Sequence, residues 1–154
     1  MKLVKQNRNG FQYQLSQEEA FSLRHLVSQF PVAGLTAAKI SKTDLKTADR
    51  EKLLNESLTV HRNELKRKAG DLVSTDKFRT SGNHQFFRIN PEERETMLQV
   101  LNDIRIESWR ILGEPEDLDI NIVELPKDKI RHYHVMHLSG YFEHHFLNLE
   151  DEEK

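Results

Sequence analysis

The sequence predicts an α+β fold that is mainly α, with four principal helices in a bundle and a small antiparallel β-hairpin or sheet. Three observations favour this class. Amphipathic stretches with the period of a helix recur along the chain, segments that alternate like strands are short, and turn residues separate the two kinds. The length of 154 residues suits a single domain over 1–154 with a charged, frayed tail at 150–154.

The composition limits the classes of function. The chain has 23 Lys and Arg, 25 Asp and Glu, a formal net charge of −2 and no cysteine. We therefore expect no strong nonspecific nucleic-acid binding, and no disulfide, thiolate metal site or cysteine nucleophile. No apolar run reaches the ~20 residues of a membrane span, and the N-terminus lacks a signal-peptide core. The expectation is a cytoplasmic protein without a membrane partner.

A hairpin and a capped helix open the chain. Leu3–Gln6 is a candidate strand, Asn9-Gly10 is a hairpin-turn signal, and Phe11–Leu15 alternates as a half-buried strand does. Ser16 with Glu19 three positions later has the spacing of a capping box, which predicts a helix from that point.

Three more helices are predicted after a linker over 32–47. One begins near Ala48, with a face made of Leu54, Leu58, His61, Leu65 and Leu72. The next begins at Asn90-Pro91, after a strand over 87–89, and ends at Gly113. An acidic loop follows over 114–121. The last helix begins near Lys127 and has an apolar stripe of Val135, Leu138, Phe142, Phe146 and Leu149.

The two halves of the chain match at an offset of 74 residues. Tyr13 then falls on Phe87, Ser16 on Asn90, and Glu19 falls on the second acid of the later helix. This predicts two strand–helix–helix repeats, over 1–74 and 75–150, packed as a pseudo-twofold pair. The alternative is coincidence, since a strand followed by a capped amphipathic helix is a common unit.

Histidines concentrate on one face of the last helix. On a helix of 100° per residue, four of them share about a third of the circumference, with Tyr141 among them: His134, His137, His144 and His145. Three interpretations are open: a divalent-metal site completed by a residue such as Asp103 or Glu107, a pH-responsive surface, or a solvated polar face. The same face would suit a homodimer contact, because tyrosine is enriched at interfaces.

A second candidate cluster lies on one turn of the third helix. Asn102, Asp103 and Arg105 stand beside Trp109 and could contact a partner; alternatively, they lock helices together. Asp103 and Arg105 are about 200° apart around the helix, so we expect them to contact different neighbours.

A third cluster is basic and comprises His61, Arg62, Lys66, Arg67 and Lys68. Acidic residues are interleaved with it, which favours a solvated helix face over a DNA-binding surface. The chain has no phosphate-binding glycine loop and no nucleophile elbow.

Part of the chain resembles an actinobacterial family of unknown function that is often encoded beside the ClpS protease adaptor. The resemblance rests on residues 91–105, which include Leu-Asn-Asp-Ile-Arg at 101–105, on Ile-Leu-Gly at 111–113, and on the segments 15–19 and 140–143. It implies an α-rich domain and no established activity, with an association to regulated proteolysis or transcriptional regulation. The family pattern lacks the histidine cluster, so metal binding by His134 and His137 would not be a family property.

The resulting hypothesis is a non-enzymatic protein-interaction or regulatory module. Its partner is another protein or a second copy, and the candidate contact residues are Asn102, Asp103, Arg105, Trp109 and Tyr141. No cofactor is predicted. The alternative hypothesis is a metal-binding protein or metal-dependent enzyme that uses the terminal histidines.

Overall fold

The described part of the chain forms four strands and four long helices. The computed structural model describes residues 1–32, 45–117 and 120–147. The strands are β1 (Lys2–Asn7), β2 (Gly10–Ser16), β3 (Phe78–Ser81) and β4 (His84–Ile89), and the helices are α1 (Gln17–Ser28), α2 (Leu45–Leu72), α3 (Pro91–Ile111) and α4 (Lys127–Phe146). The predicted α+β, mainly α fold is confirmed.

The sheet is antiparallel throughout and has the strand order β1-β2-β4-β3. The two central strands place Tyr13 directly opposite Phe87, the pair that the 74-residue offset makes equivalent. The pairing of the outer strands follows the same offset. Lys5 pairs with Gln12 on β1 and β2, and the residues 74 positions later, Arg79 and Phe86, pair with each other on β3 and β4. Each half therefore has a hairpin, a capped helix and a second helix, arranged around the centre of the sheet.

Reciprocal caps begin the two helices that follow the central strands. The Glu19 N–H donates to Ser16 Oγ at 3.0 Å, and the Ser16 N–H donates to Glu19 Oε1 at 3.0 Å. The same pair of bonds joins Asn90 and Glu93 at 2.7 and 2.9 Å. Both caps satisfy backbone N–H groups that a helix leaves without partners.

The core lies between the helices and one face of the sheet. Tyr13, Leu15, Phe87 and Ile89 are buried on that face, as the two-residue alternation of a strand requires. Phe146, the last residue of α4, stands edge-on against Tyr13 with ring centroids 5.1 Å apart. The end of α4 is therefore packed on the centre of the sheet.

Several boundaries and faces differ from the sequence prediction. Strand β3 was not predicted, since its four residues are too few to show alternation. Helix α2 begins at Leu45 rather than near Ala48. Helix α4 also buries three residues that the predicted stripe does not include: Met136, Ser139 and Glu143. It does so because it packs against both α3 and α1 and not against one neighbour.

Half of the predicted apolar face of α2 is exposed. The exposed fractions along this face are 60% for Leu54, 46% for Leu58, 9% for Leu65 and 4% for Leu72. The first half of the helix lies beyond the main core, so a continuous stripe in the sequence is buried at one end only. The predictions for residues 33–44, Leu149 and the tail at 150–154 lie outside the described residues. None of the described helices has both the length and the hydropathy that a membrane span requires.

Gly10 is expected to be much less tolerant of substitution than Gly82, the glycine of the other hairpin turn. Gly10 has φ +148°, and a Cβ there would collide with the Ile89 carbonyl oxygen, whereas a Cβ on Gly82, at φ +59°, would meet nothing within 4 Å. We expect Gly82→Ala to cost about 1 kcal/mol and Gly10→Ala at least ~2 kcal/mol more, measured by urea unfolding. Equal losses for the two variants would contradict the close approach of β2 to β4.

Candidate functional site

An open groove runs between α3 and α4. It encloses about 570 Å³ and is lined by Arg105, Ile106, Trp109, Met136, His137, Gly140 and Tyr141. Ile106 and Tyr141 are exposed, while Trp109 is half-buried and its indole Nε1 donates to the Pro115 carbonyl at 3.1 Å. Gly140 adds to the width, because a Cβ there would meet nothing within 4 Å. The groove is suited to contact with an apolar side-chain surface.

A charged pair borders the groove where α3 and α4 pack. Arg105 Nη1 lies 3.4 Å from Glu143 Oε2, and Arg105 Nη2 donates to Asn102 Oδ1 at 3.3 Å. Glu143 is buried and its Oε1 atom has no hydrogen-bond partner. Burial raises the pKa of Glu143, and the neighbouring Arg105 guanidinium offsets part of that rise. Arg105 is half-exposed, so it can also reach a carboxylate in the groove.

Tyr141 is held at the other side of the groove by a polar network. Its hydroxyl donates to Glu19 Oε2 at 2.6 Å and accepts from the amino group of Met1 at 3.2 Å, and that amino group also pairs with Glu19. Burial alone would raise the pKa of Glu19, but the hydrogen bonds from the Met1 amine, the Ser16 N–H and Tyr141 lower it to about 2. The network connects the α1 cap to the groove.

Asp103 faces away from the groove, towards α2. Its Oδ1 lies 3.7 Å from Arg62 Nη2, and the same Arg62 nitrogen donates to Glu107 Oε1 at 3.3 Å. Glu107 also accepts from Arg110 at 2.9 Å. Burial raises the pKa of Asp103, although Arg62 lowers it, and its Oδ2 atom has no hydrogen-bond partner. These groups join α2 to α3, which agrees with the helix-locking interpretation of this turn.

The structure brings together three of the five candidate contact residues. Arg105, Trp109 and Tyr141 line the groove, Asn102 supports Arg105 from one turn away, and Asp103 contacts another helix. This separation of Asp103 from Arg105 is the outcome that their 200° spacing predicts. Sequence reasoning missed Ile106, Met136 and Gly140 as groove residues. Ile106 and Trp109 have the i, i+3 spacing of one helix face, which was the only available signal.

The histidines of α4 do not form a metal centre among the described residues. No group of three or more His, Asp or Glu side chains in the described ranges is close enough to hold a metal ion. His137 instead lies beside Tyr133, with ring centroids 4.4 Å apart, and His145 lies beside Tyr141 at 4.5 Å. His134 and His137 are exposed, and His144 and His145 are half-buried. The metal hypothesis therefore stays a prediction without geometric support.

We expect Glu143→Gln to change stability in a pH-dependent way. Because folding raises the pKa of Glu143, the unfolded chain ionises first, and this carboxyl lowers stability as the pH rises from about 4.5 through the folded pKa. The free energy of unfolding of the variant, relative to the original chain, should increase as the pH rises above about 4.5, measured by urea unfolding at each pH.

Glu19→Gln is the matched control, because folding lowers the pKa of Glu19 whereas it raises the pKa of Glu143. Since the folded pKa of Glu19 is about 2, its carboxylate stabilises the fold above pH 4.5 and loses that effect as the pH falls towards 2. A stability difference for Glu143→Gln that does not vary with pH would show that burial of this carboxyl has no energetic cost.

Comparison with known proteins identifies no relative. No family model matches the chain, and neither a curated protein nor a solved structure matches it. The resemblance to the ClpS-neighbouring family is therefore a prediction, and the function has to be argued from the geometry.

Proposed function

We propose that this protein is a non-enzymatic interaction module whose α3–α4 groove binds an amphipathic helix of a partner protein. The observation that carries the proposal is the position of the only tryptophan of the chain, half-buried in a groove whose rim exposes Ile106 and Tyr141. Tryptophan and tyrosine supply large apolar contact areas at protein interfaces. A groove between two helices accepts the apolar face of a third.

The charges around the groove favour an acidic partner helix. Arg105 borders one side, and its guanidinium has five N–H donors, more than its contacts with Asn102 and Glu143 require. His137 lines the groove and His134 is exposed one turn away, and both imidazole rings can donate hydrogen bonds to a carboxylate. We therefore infer a partner segment with apolar residues on one face and carboxylates beside them. A role in regulated proteolysis, which the family resemblance implies, would fit such a module.

Gly140→Leu should block the groove without harming the fold. Its added side chain enters open space, and leucine favours a helix interior by about 0.7–1 kcal/mol over glycine. The probe is a designed acidic amphipathic peptide of about 16 residues built from Leu and Glu. We expect a blue shift of Trp109 emission on titration of the original chain, and binding at least tenfold weaker for the variant.

Gly70→Leu is the matched control, because Gly70 is also a helical glycine with open space around it, on α2. It should bind the peptide as the original chain does. Equal binding of a scrambled peptide or of a Leu–Lys version, or an unaltered titration for Gly140→Leu, would reject the acidic-helix proposal.

A second candidate function, self-association, is favoured by the exposed half of α2. Seven exposed side chains fall within about 120° of this helix: Arg50, Leu53, Leu54, Ser57, Val60, His61 and Glu64. They are self-complementary in an antiparallel pair of helices with a twofold axis at Ser57. Leu54 then faces Val60 of the second copy, and Arg50 faces Glu64 of the second copy. We propose that a second copy of this chain covers this surface, rather than the histidine face of α4.

Charge exchange at the two ends of this surface tests self-association. We expect Arg50→Glu to weaken the dimer by about threefold for each of its two ion pairs, and the double variant Arg50→Glu/Glu64→Arg to restore it. Sedimentation equilibrium measures the dissociation constant. Leu54→Glu should give a monomer, because it buries a charge at the apolar contact. A chain that is monomeric at about 100 µM, or a double variant that does not recover, would refute the pairing.

A further inference from the structure

The sheet has a second face, opposite the core, on which positive charge is concentrated. All four Lys and Arg residues of the strands lie there: Lys2, Lys5, Arg79 and Arg88. The four strands contain no Asp or Glu. Because the whole chain has a formal net charge of −2, these four cations leave the rest of the chain at −6. The overall charge therefore conceals a separation of charge in space.

Strand pairing places these residues on one surface. Lys5 pairs with Gln12 and Gln12 pairs with Arg88, so these three side chains form one row across the sheet. The neighbouring row runs from Lys2 through Gln14 and Phe86 to Arg79. A register shift between Leu3 and Lys5 brings Lys2 and Lys5 to the same face although they are three residues apart.

An aromatic ring lies among these cations. Phe86 is half-buried on central strand β4, with exposed His84 and Arg88 two residues to either side on the same face. Gln12 and Gln14 lie on the same face of the adjacent central strand, β2. Gln12 Oε1 accepts a hydrogen bond from Arg88 Nε at 3.2 Å. At the Lys5–Arg88 end, a cavity of about 380 Å³ opens beside this surface; Glu93 also lines it but is paired with Lys77.

We propose that this face binds single-stranded nucleic acid, with an unpaired base stacked on Phe86 and phosphates at the surrounding Lys and Arg residues. Aromatic rings on an open sheet stack bases of any sequence, and a cationic surface follows the backbone. The amides of Gln12 and Gln14 can donate to and accept from base edges. At about 4.8 Å between strands, the four strands span roughly 14 Å, which is enough for a few nucleotides. A duplex is disfavoured because its bases are already stacked and paired.

This proposal departs from the expectation drawn from net charge, because net charge averages over the whole chain and does not describe one surface. It is independent of the groove, which lies on α3 and α4, and of the basic cluster of α2. The α2 cluster has acidic residues next to its cations, for example Lys68 3.4 Å from Glu64 and Arg67 3.9 Å from Asp71. The sheet face has no such neighbours on its own strands.

Fluorescence anisotropy with labelled oligouridine and oligothymidine of about 12 nucleotides tests the proposal. We expect both single strands to bind at about 50 mM salt, and a duplex of the same length to bind less tightly. If three or four phosphates are contacted, the slope of log affinity against log salt should be about −2 to −3. Phe86→Ala should weaken binding by about 5- to 100-fold, and Phe86→Tyr, which retains a stacking ring, should restore it.

A matched pair of charge variants locates the surface. Lys5→Gln/Arg79→Gln removes two cations from the sheet face and should abolish most of the binding and reduce the salt slope by about 1 to 1.5. Lys66→Gln/Arg67→Gln removes the same charge from exposed positions on α2 and should leave binding unchanged.

The absence of binding at low salt would overturn the proposal, and so would an equal loss of affinity in the two double variants. It would also be overturned if Phe86→Ala left the affinity unchanged while circular dichroism showed the fold intact. Equal binding of polyglutamate or of vesicles rich in anionic lipid would also overturn it, because the face would then recognise negative charge and not nucleotides.

Discussion

The contact of Phe146 with Tyr13 and Phe87 is the interaction on which the rest of the structure depends. Tyr13 and Phe87 face each other on the two central strands, and Phe146 packs against both rings at 5.1 and 6.2 Å. Its carbonyl also accepts hydrogen bonds from the Tyr13 hydroxyl at 3.4 Å and from Arg94 Nε at 2.6 Å. The edge-to-face ring contacts and the hydrogen bonds to its carbonyl favour one orientation of Phe146, and therefore of the end of α4, on the sheet. One aromatic cluster thus joins both halves of the chain and fixes where α4 ends.

The position of α4 in turn creates the groove. With its last residue held on the sheet, α4 lies along α3, and the outward sides of the two helices leave Trp109 in a groove between Ile106 and Tyr141. The half-exposed Arg105 and the buried Glu143 connect the same two helices. Such pairs contribute little net stability because of desolvation, but they penalise a shifted register that would leave a buried charge unpaired. The polar contacts of α3 therefore serve the geometry of the groove.

The proposed surfaces lie on different parts of the fold and have different chemistry. The groove is apolar and aromatic with a basic border, the exposed half of α2 is apolar with opposite charges at its ends, and the outer sheet face is basic and flat. Each is built on helices or strands, whose backbone geometry keeps the side chains in place. A protein with these surfaces could hold a protein segment and a nucleic-acid strand at the same time, since neither occupies the place of the other.

The sequence by itself determined the fold class, both helix caps and most helix boundaries, because these depend on residues close together in the chain. It also indicated four groove residues, Arg105, Trp109, His137 and Tyr141, although not the groove. Only the tertiary structure decided which half of the α2 stripe is buried, which helix Asp103 and Arg105 each contact, and that Lys2, Lys5, Arg79 and Arg88 share one face. Strand pairing joins residues more than 70 positions apart, so neither composition nor net charge can reveal a surface of this kind.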